Sequence, residues 1–153
     1  MADLTRSGYL ASAISIAWTS GQALDSAVDD EYTDLSDEID NSTTKYLMAD
    51  IEVVLASAAF TGTDSAIEVF LVPSVDGTNY PNWTGNGTTA EQENLNHFVG
   101  MVITSGATEA QRLVLRNVEL PNGKYKLAFR NRGGVALAAS GNSASLRPHS
   151  VAA

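Results

Sequence analysis

The sequence predicts an all-β domain, an antiparallel β-sandwich with an extended N-terminal arm, and three observations carry that expectation. Apolar residues alternate with period two over most of the chain, the spacing of strands with one buried face. Clusters of Gly, Asn, Pro and Ser separate these runs at short intervals, as turns between many short strands do. No window of helical length carries a clear apolar stripe. Tyr32, Leu35 and Ile39 could share one helical face, but the run around them is short and reads equally as an extended edge.

In chain order, the expected strands are residues 12–18, 46–57, 66–73, 97–104, 110–120, 123–130, 135–140 and 144–148. Residues 1–22 read as the arm, 23–148 as the sandwich and 149–153 as a tail, with the whole stretch 141–153 more arm-like than core-like. Ile51, Val53 and Leu55, then Val69 and Leu71, then Val99, Met101 and Ile103 are expected to face a common core. Asn122-Gly123 sits between two alternating runs and suits a tight two-residue hairpin turn. Pairing across it sets Leu120 against Tyr125 and Val118 against Leu127, with Glu119 opposite Lys126 on the outer side. Strict pairing would then bring Arg116 opposite Phe129, so a β-bulge near Arg116 or Asn117 is expected, which returns Leu115 to the inside. Pro73 to Asn96 reads as a loop with turn signals throughout, at a length where loops are commonly functional or mobile.

At 153 residues the chain fits one domain, and such a domain buries about 68–70% of its unfolded surface without a disulfide or metal. The absence of cysteine excludes a disulfide framework, a thiolate nucleophile, Cys-ligated zinc and an iron–sulfur cluster. The apolar run from Tyr9 to Trp18 is broken by Ser12 and Ser15 and reads neither as a signal peptide nor as a membrane span. No membrane partner is expected. The net charge of −9, from 18 acidic against 9 basic residues, repels phosphate backbones, so no nucleic-acid partner is expected either. The signs are segregated: eight acids lie between Asp25 and Asp40, and six of the nine bases between Arg112 and Arg132, an arrangement able to guide docking.

Catalytic signatures are missing. The two histidines, His97 and His149, stand in no nucleophile motif, and there is no G-x-S-x-G elbow. Gly85-Asn86-Gly87 lacks the lysine and helix of a phosphate loop and reads as a turn. The acids crowd into one run without the spacing or central glycine of an EF-hand, so a solvated acidic face is expected rather than a calcium site. The chain therefore reads as no enzyme, with no catalytic residue, metal or cofactor. Asn41, Asn82 and Asn86 fit N-x-[ST] and, without a secretory signal, are incidental. The remaining candidates are surfaces. Tyr9, Leu10, Ile14, Ile16 and Trp18 are too apolar for a solvated tail and should complete their own sheet or a neighbour's. Tyr80 and Trp83, among Asn79, Asn82 and Asn86, could stack on a sugar, plug an end of the sandwich or anchor an interface.

Three stretches add a resemblance: TDLSDEIDNST at 33–43, AAFTGTDSAIEVFLVPSVDGTNYPNWTGN at 58–86 and LRNVELPNGKYKLAFRNRGGVALAASGN at 115–142. Together they resemble the decoration, or cement, proteins of tailed-bacteriophage capsids, of jelly-roll type. The resemblance implies a jelly-roll β-sandwich on the outer surface of a virion, made in the host cytoplasm, docked on the major capsid protein and associated as a homotrimer. It carries over no catalytic residue. The alternative expectation is a carbohydrate-binding β-sandwich of a phage fibre or tail, told apart by whether Tyr80 and Trp83 lie open in a groove. In the first reading the apolar arm and the opposed charge blocks are satisfied between subunits or against the shell. Loss of residues 1–20 is then expected to impair assembly more than folding.

Overall fold

A computed structural model of the chain describes Tyr9 and residues 12–60, 65–83, 89 and 95–149. Among these residues there are eight strands: β1 (Ile14–Ile16), β2 (Ile39–Asp40), β3 (Met48–Leu55), β4 (Ala66–Pro73), β5 (Phe98–Ile103), β6 (Gln111–Glu119), β7 (Lys124–Arg132) and β8 (Ser143–His149). One 3-10 turn, Leu95–His97, precedes β5. The strands form two antiparallel sheets, ordered β1-β8-β3-β6 and β2-β7-β4-β5. First pairs with eighth, second with seventh, third with sixth and fourth with fifth. The chain is thus one long hairpin folded at β4–β5 and rolled up, with β3–β8 and β4–β7 pairing to seal the roll. This is the wiring of a jelly roll.

The two inner faces meet in one core. Ile51, Val53 and Leu55 of β3, with Leu146 of β8, face Ile67, Val69 and Leu71 of β4, with Leu127 and Phe129 of β7. All are buried, as the alternation along β3 and β4 requires. Val118, Leu120, Tyr125 and Leu127 are buried too, but they are not hairpin neighbours. β6 belongs to one sheet and β7 to the other, so Asn122-Gly123 carries the chain between sheets. Apolar residues matched across that turn because both runs look into the same core from opposite sides. The expected bulge does occur, against a different strand: Ala49 pairs with Val118 and Ile51 with Leu115, leaving Arg116 and Asn117 both opposite Asp50. Asn117 adopts a φ of 57° there, as a short polar side chain tolerates.

Three further expectations are corrected. Val99, Met101 and Ile103 do not point inward together. A register shift against Val69 and Phe70 falls at Val99, after which Val102 is buried while Met101 and Ile103 are exposed. Residues 135–140 form no strand. Val135 and Leu137 still plug the core, and the Leu137 amide donates to the Ala27 carbonyl (2.9 Å) rather than to a ladder. Residues 141–149 are no arm, because β8 lies between β1 and β3 and His149 is its last residue.

The connection from β1 to β2, residues 17–38, closes one side of the sandwich by running along β7. The Thr33 and Ser36 amides donate to the carbonyls of Phe129 (2.8 Å) and Leu127 (2.7 Å). In return, the Thr33 and Ser36 hydroxyls accept from the amides of Phe129 (3.0 Å) and Leu127 (2.9 Å). Side-chain oxygens thus stand in for backbone carbonyls, and β7 has no open edge along this stretch. Tyr32 is carried over the outer face of the second sheet, where it packs with Phe70, Ala128, Leu35 and Trp83. The extended-edge reading of Tyr32, Leu35 and Ile39 is the one that holds.

Candidate functional site

The residues singled out in the sequence fall into three places. The first is the arm. Ile14 and Ile16 form β1 and pair with Leu146 and Ala144, and Ile16 is buried. The Trp18 ring packs against Phe129 at 5.8 Å, and its Nε1–H donates to the Asp34 carbonyl (2.9 Å). These three residues complete their own sandwich. Leu10 lies outside the described residues, as do residues 150–153 of the expected tail. Tyr9 folds back on the outer face of the first sheet: its hydroxyl donates to Asp50 Oδ2 (2.8 Å), and Arg147 stacks over its ring at 4.2 Å.

Asp50 is the hub of that corner. It also accepts from the Asn117 amide (3.0 Å), which the bulge brings into reach, and it lies 3.3 Å from His149 Nε2. Burial pushes the Asp50 carboxyl up, but these hydrogen bonds outweigh it and hold the group below the usual carboxylate range. Asp37, held by Thr19, and Asp76, held by Asn79 and Thr78, are lowered in the same way. A carboxyl whose pKa is lowered on folding stabilises the fold above its unfolded pKa of about 4 and loses that contribution as pH falls through the folded value. The urea midpoint is therefore expected to fall steadily below about pH 4. Asp50→Asn should lower it at pH 7 and flatten part of the acid decline; an unchanged acid profile would contradict the role given to Asp50.

The second place is the acidic run, in which Asp29, Asp37, Glu38 and Asp40 are exposed, as the solvated-face reading expects, while many of its carboxylates are also hydrogen-bonded into the fold. Asp25 accepts from the Asn142 amide and side chain, Asp29 from the Gly134 amide, Asp34 from the Gln22 amide and Asp40 from the Ser42 amide. Asp30 pairs with Arg130 and Arg132, and Glu38 with Lys124. The acidic and basic blocks, far apart in sequence, thus meet within one chain. Among the described residues no three His, Asp or Glu side chains converge as metal ligands would. Asn41 is buried, and its amide is committed to the carbonyls of Tyr46 and Pro121.

Tyr80 and Trp83 line an open cleft of about 790 Å3 with Ser20, Gly21, Asp34 and Leu35. Their polar atoms are already used. Trp83 Nε1–H donates to the Thr33 carbonyl (2.9 Å), the Tyr80 hydroxyl donates to Glu38 (2.8 Å), and Lys126 sits 4.9 Å over the Tyr80 ring. Trp83 also packs edge-on to Tyr32 and tilted on Phe70. Both rings act as a cover for the second sheet, and Gly85-Asn86-Gly87 lies outside the described residues.

The third place was not anticipated in the sequence. β5 and β6 are the end strands of their sheets, so the side of the sandwich opposite the 17–38 connection has two strand edges that no described strand pairs with. Phe98, Met101 and Ile103 of β5 are 42, 50 and 58% exposed, Val99 is 37% exposed, and Val114 of β6 is 44% exposed. Leu113 and Leu115 pack on the core from β6 but remain half-buried. The two strands touch at Gly100, where a Cβ would come within 2.8 Å of the Leu115 side chain. No Asp, Glu, Lys or Arg occurs from Leu95 to Thr108. The signal that could have found this surface is the run FVGMVI, apolar in both phases of a strand. Comparison of the chain with protein-family models, with curated proteins and with solved structures gives no match.

Proposed function

We propose that this chain is a non-catalytic structural protein of a tailed-bacteriophage particle, a jelly-roll subunit that docks on the outer surface of the capsid and associates with copies of itself. The observation that carries this reading is the uncharged, apolar edge strand β5, with Phe98, Met101 and Ile103 exposed along it; its neighbour β6 carries Arg112, Arg116 and Glu119. Edge strands of proteins that act alone are blunted by charge, by proline or by a covering segment; here the opposite side of the sandwich is covered, while no described residue pairs with the outer edge of β5 and the strand has no charge or proline of its own. A contiguous apolar surface of that kind marks a place where another protein sits. The resemblance of residues 33–43, 58–86 and 115–142 to capsid decoration proteins supplies the kind of assembly. The partner on that reading is the major capsid protein, and the location is the virion surface.

The test is saturable co-sedimentation of the purified protein with undecorated capsids of the phage that encodes it. Binding that saturates at a fixed number of copies per capsid is the expected result. Failure to co-sediment at about 100 times a micromolar dissociation constant overturns the reading.

A further inference from the structure

We infer that β5 is a self-association edge: a second copy of this chain lays its own β5 antiparallel to the first across a two-fold axis, so that two four-stranded sheets become one of eight. The inference rests on the self-association half of the function proposed above, names the contact, and sets a two-fold pair in place of the homotrimer that the resemblance implies.

One side of β5 is bonded to β4 and, among the described residues, no strand pairs with the other, so a row of peptide groups is left for an added strand. The choice of a second copy as occupant follows from self-complementarity and charge. A two-fold axis normal to the sheet keeps outward-facing residues opposite outward-facing ones, so it must pass beside a residue rather than between two. Beside Met101, that residue meets its own counterpart, and Gly100 and Val102 meet each other. Val99 and Ile103 also meet, so every opposed pair from Val99 to Ile103 is apolar or glycine, and Phe98 comes opposite Thr104. Two copies that each carry a net charge of −9 repel over most approaches, and a strip without a carboxylate from Leu95 to Thr108 is the approach that avoids this penalty. From the exposed fractions of Phe98, Val99, Met101 and Ile103, each copy offers on the order of 350 Å2 of open apolar side chain. With the strand backbones, two copies bury about 1,000 Å2, the lower bound for a specific interface. The isolated protein should therefore dimerise in the micromolar range.

The chain has no cysteine, so a single introduced one can form only an intermolecular disulfide. Directly opposed residues of antiparallel strands have Cα atoms about 4.5–5.5 Å apart, within the span of a disulfide. Met101→Cys is expected to give a covalent dimer on mild oxidation, faster than Val75→Cys, which places the thiol on a loop at a position 96% exposed. Light scattering of the wild type should give a dimer whose dissociation constant falls as salt screens the repulsion between copies. Met101→Lys, at a half-exposed position, should weaken the dimer by about tenfold or more, with a melting curve that matches the wild type at concentrations where both are monomeric. A monomer at about 100 µM at every salt concentration, a mass that closes at three, equal cross-linking of the two cysteine variants, or a Met101→Lys protein of unchanged mass each overturns the inference. Capsid binding separates the two proposals. A monomer that still co-sediments, and loses this with Met101→Lys, turns the β5 edge toward the shell and leaves the capsid-docking half of the functional reading standing. A dimer that ignores capsids does the reverse.

Discussion

Replacing Phe129 by alanine is expected to destabilise the protein by about 3–5 kcal/mol, the range for removing a fully buried aromatic ring. Phe129 is wholly enclosed at the centre of β7, where it meets β4 at Val69 and the Trp18 ring at 5.8 Å. The cavity would open where both sheets and the first connection converge, so little of it can be filled by relaxation. Lys126, also on β7 but on its outer face, makes one contact over the Tyr80 ring, and Lys126→Ala should cost less than about 1 kcal/mol. Urea unfolding of the two variants beside the wild type decides the matter. Equal, small losses would refute the assignment of faces along β7.

The second large effect is expected from deletion of residues 1–20. This removes β1, strips the hydrogen-bonded flank from β8 and takes Ile16 and Trp18 out of the core. Losing a buried isoleucine costs about 2–5 kcal/mol and a tryptophan about 3–5 kcal/mol, together comparable with the whole stability of a domain, about 5–15 kcal/mol. The truncated protein should fail to fold cooperatively, as a circular-dichroism melt would show. This reverses the expectation drawn from the sequence that the deletion impairs assembly more than folding; of the two roles left open for the arm, Ile14 and Ile16 take that of completing their own sheet. A truncated form that melts like the wild type but no longer assembles would restore that expectation.

The contrast shows what the sequence could carry. Strand positions were legible because β3, β4 and β7 each bury a face and so alternate; β4 was placed at residues 66–73, the bounds it has. Pairing was not legible, because in a jelly roll only β4 and β5 are both consecutive and adjacent, and every other partner lies far along the chain. The Asn122-Gly123 hairpin failed for that reason, while the bulge at Arg116 and Asn117 was recovered because the apolar phase of β6 itself shifts there. The phase of β5 was undetermined because FVGMVI is apolar on both faces. That ambiguity is the trace of its open edge. The acidic run resisted reading for a different reason: its carboxylates accept from amides up to 117 positions away, as Asp25 does from Asn142, and composition does not reveal such partners.

A subunit that docks on the outside of a capsid, as proposed, occupies defined positions on the shell. The most direct measurement is electron-microscopic imaging of undecorated capsids before and after addition of the purified chain at saturating concentration. New density is expected on the outer surface, at fixed lattice positions, into which the eight-stranded sandwich fits. Capsids that gain no ordered density at saturation would contradict that docking.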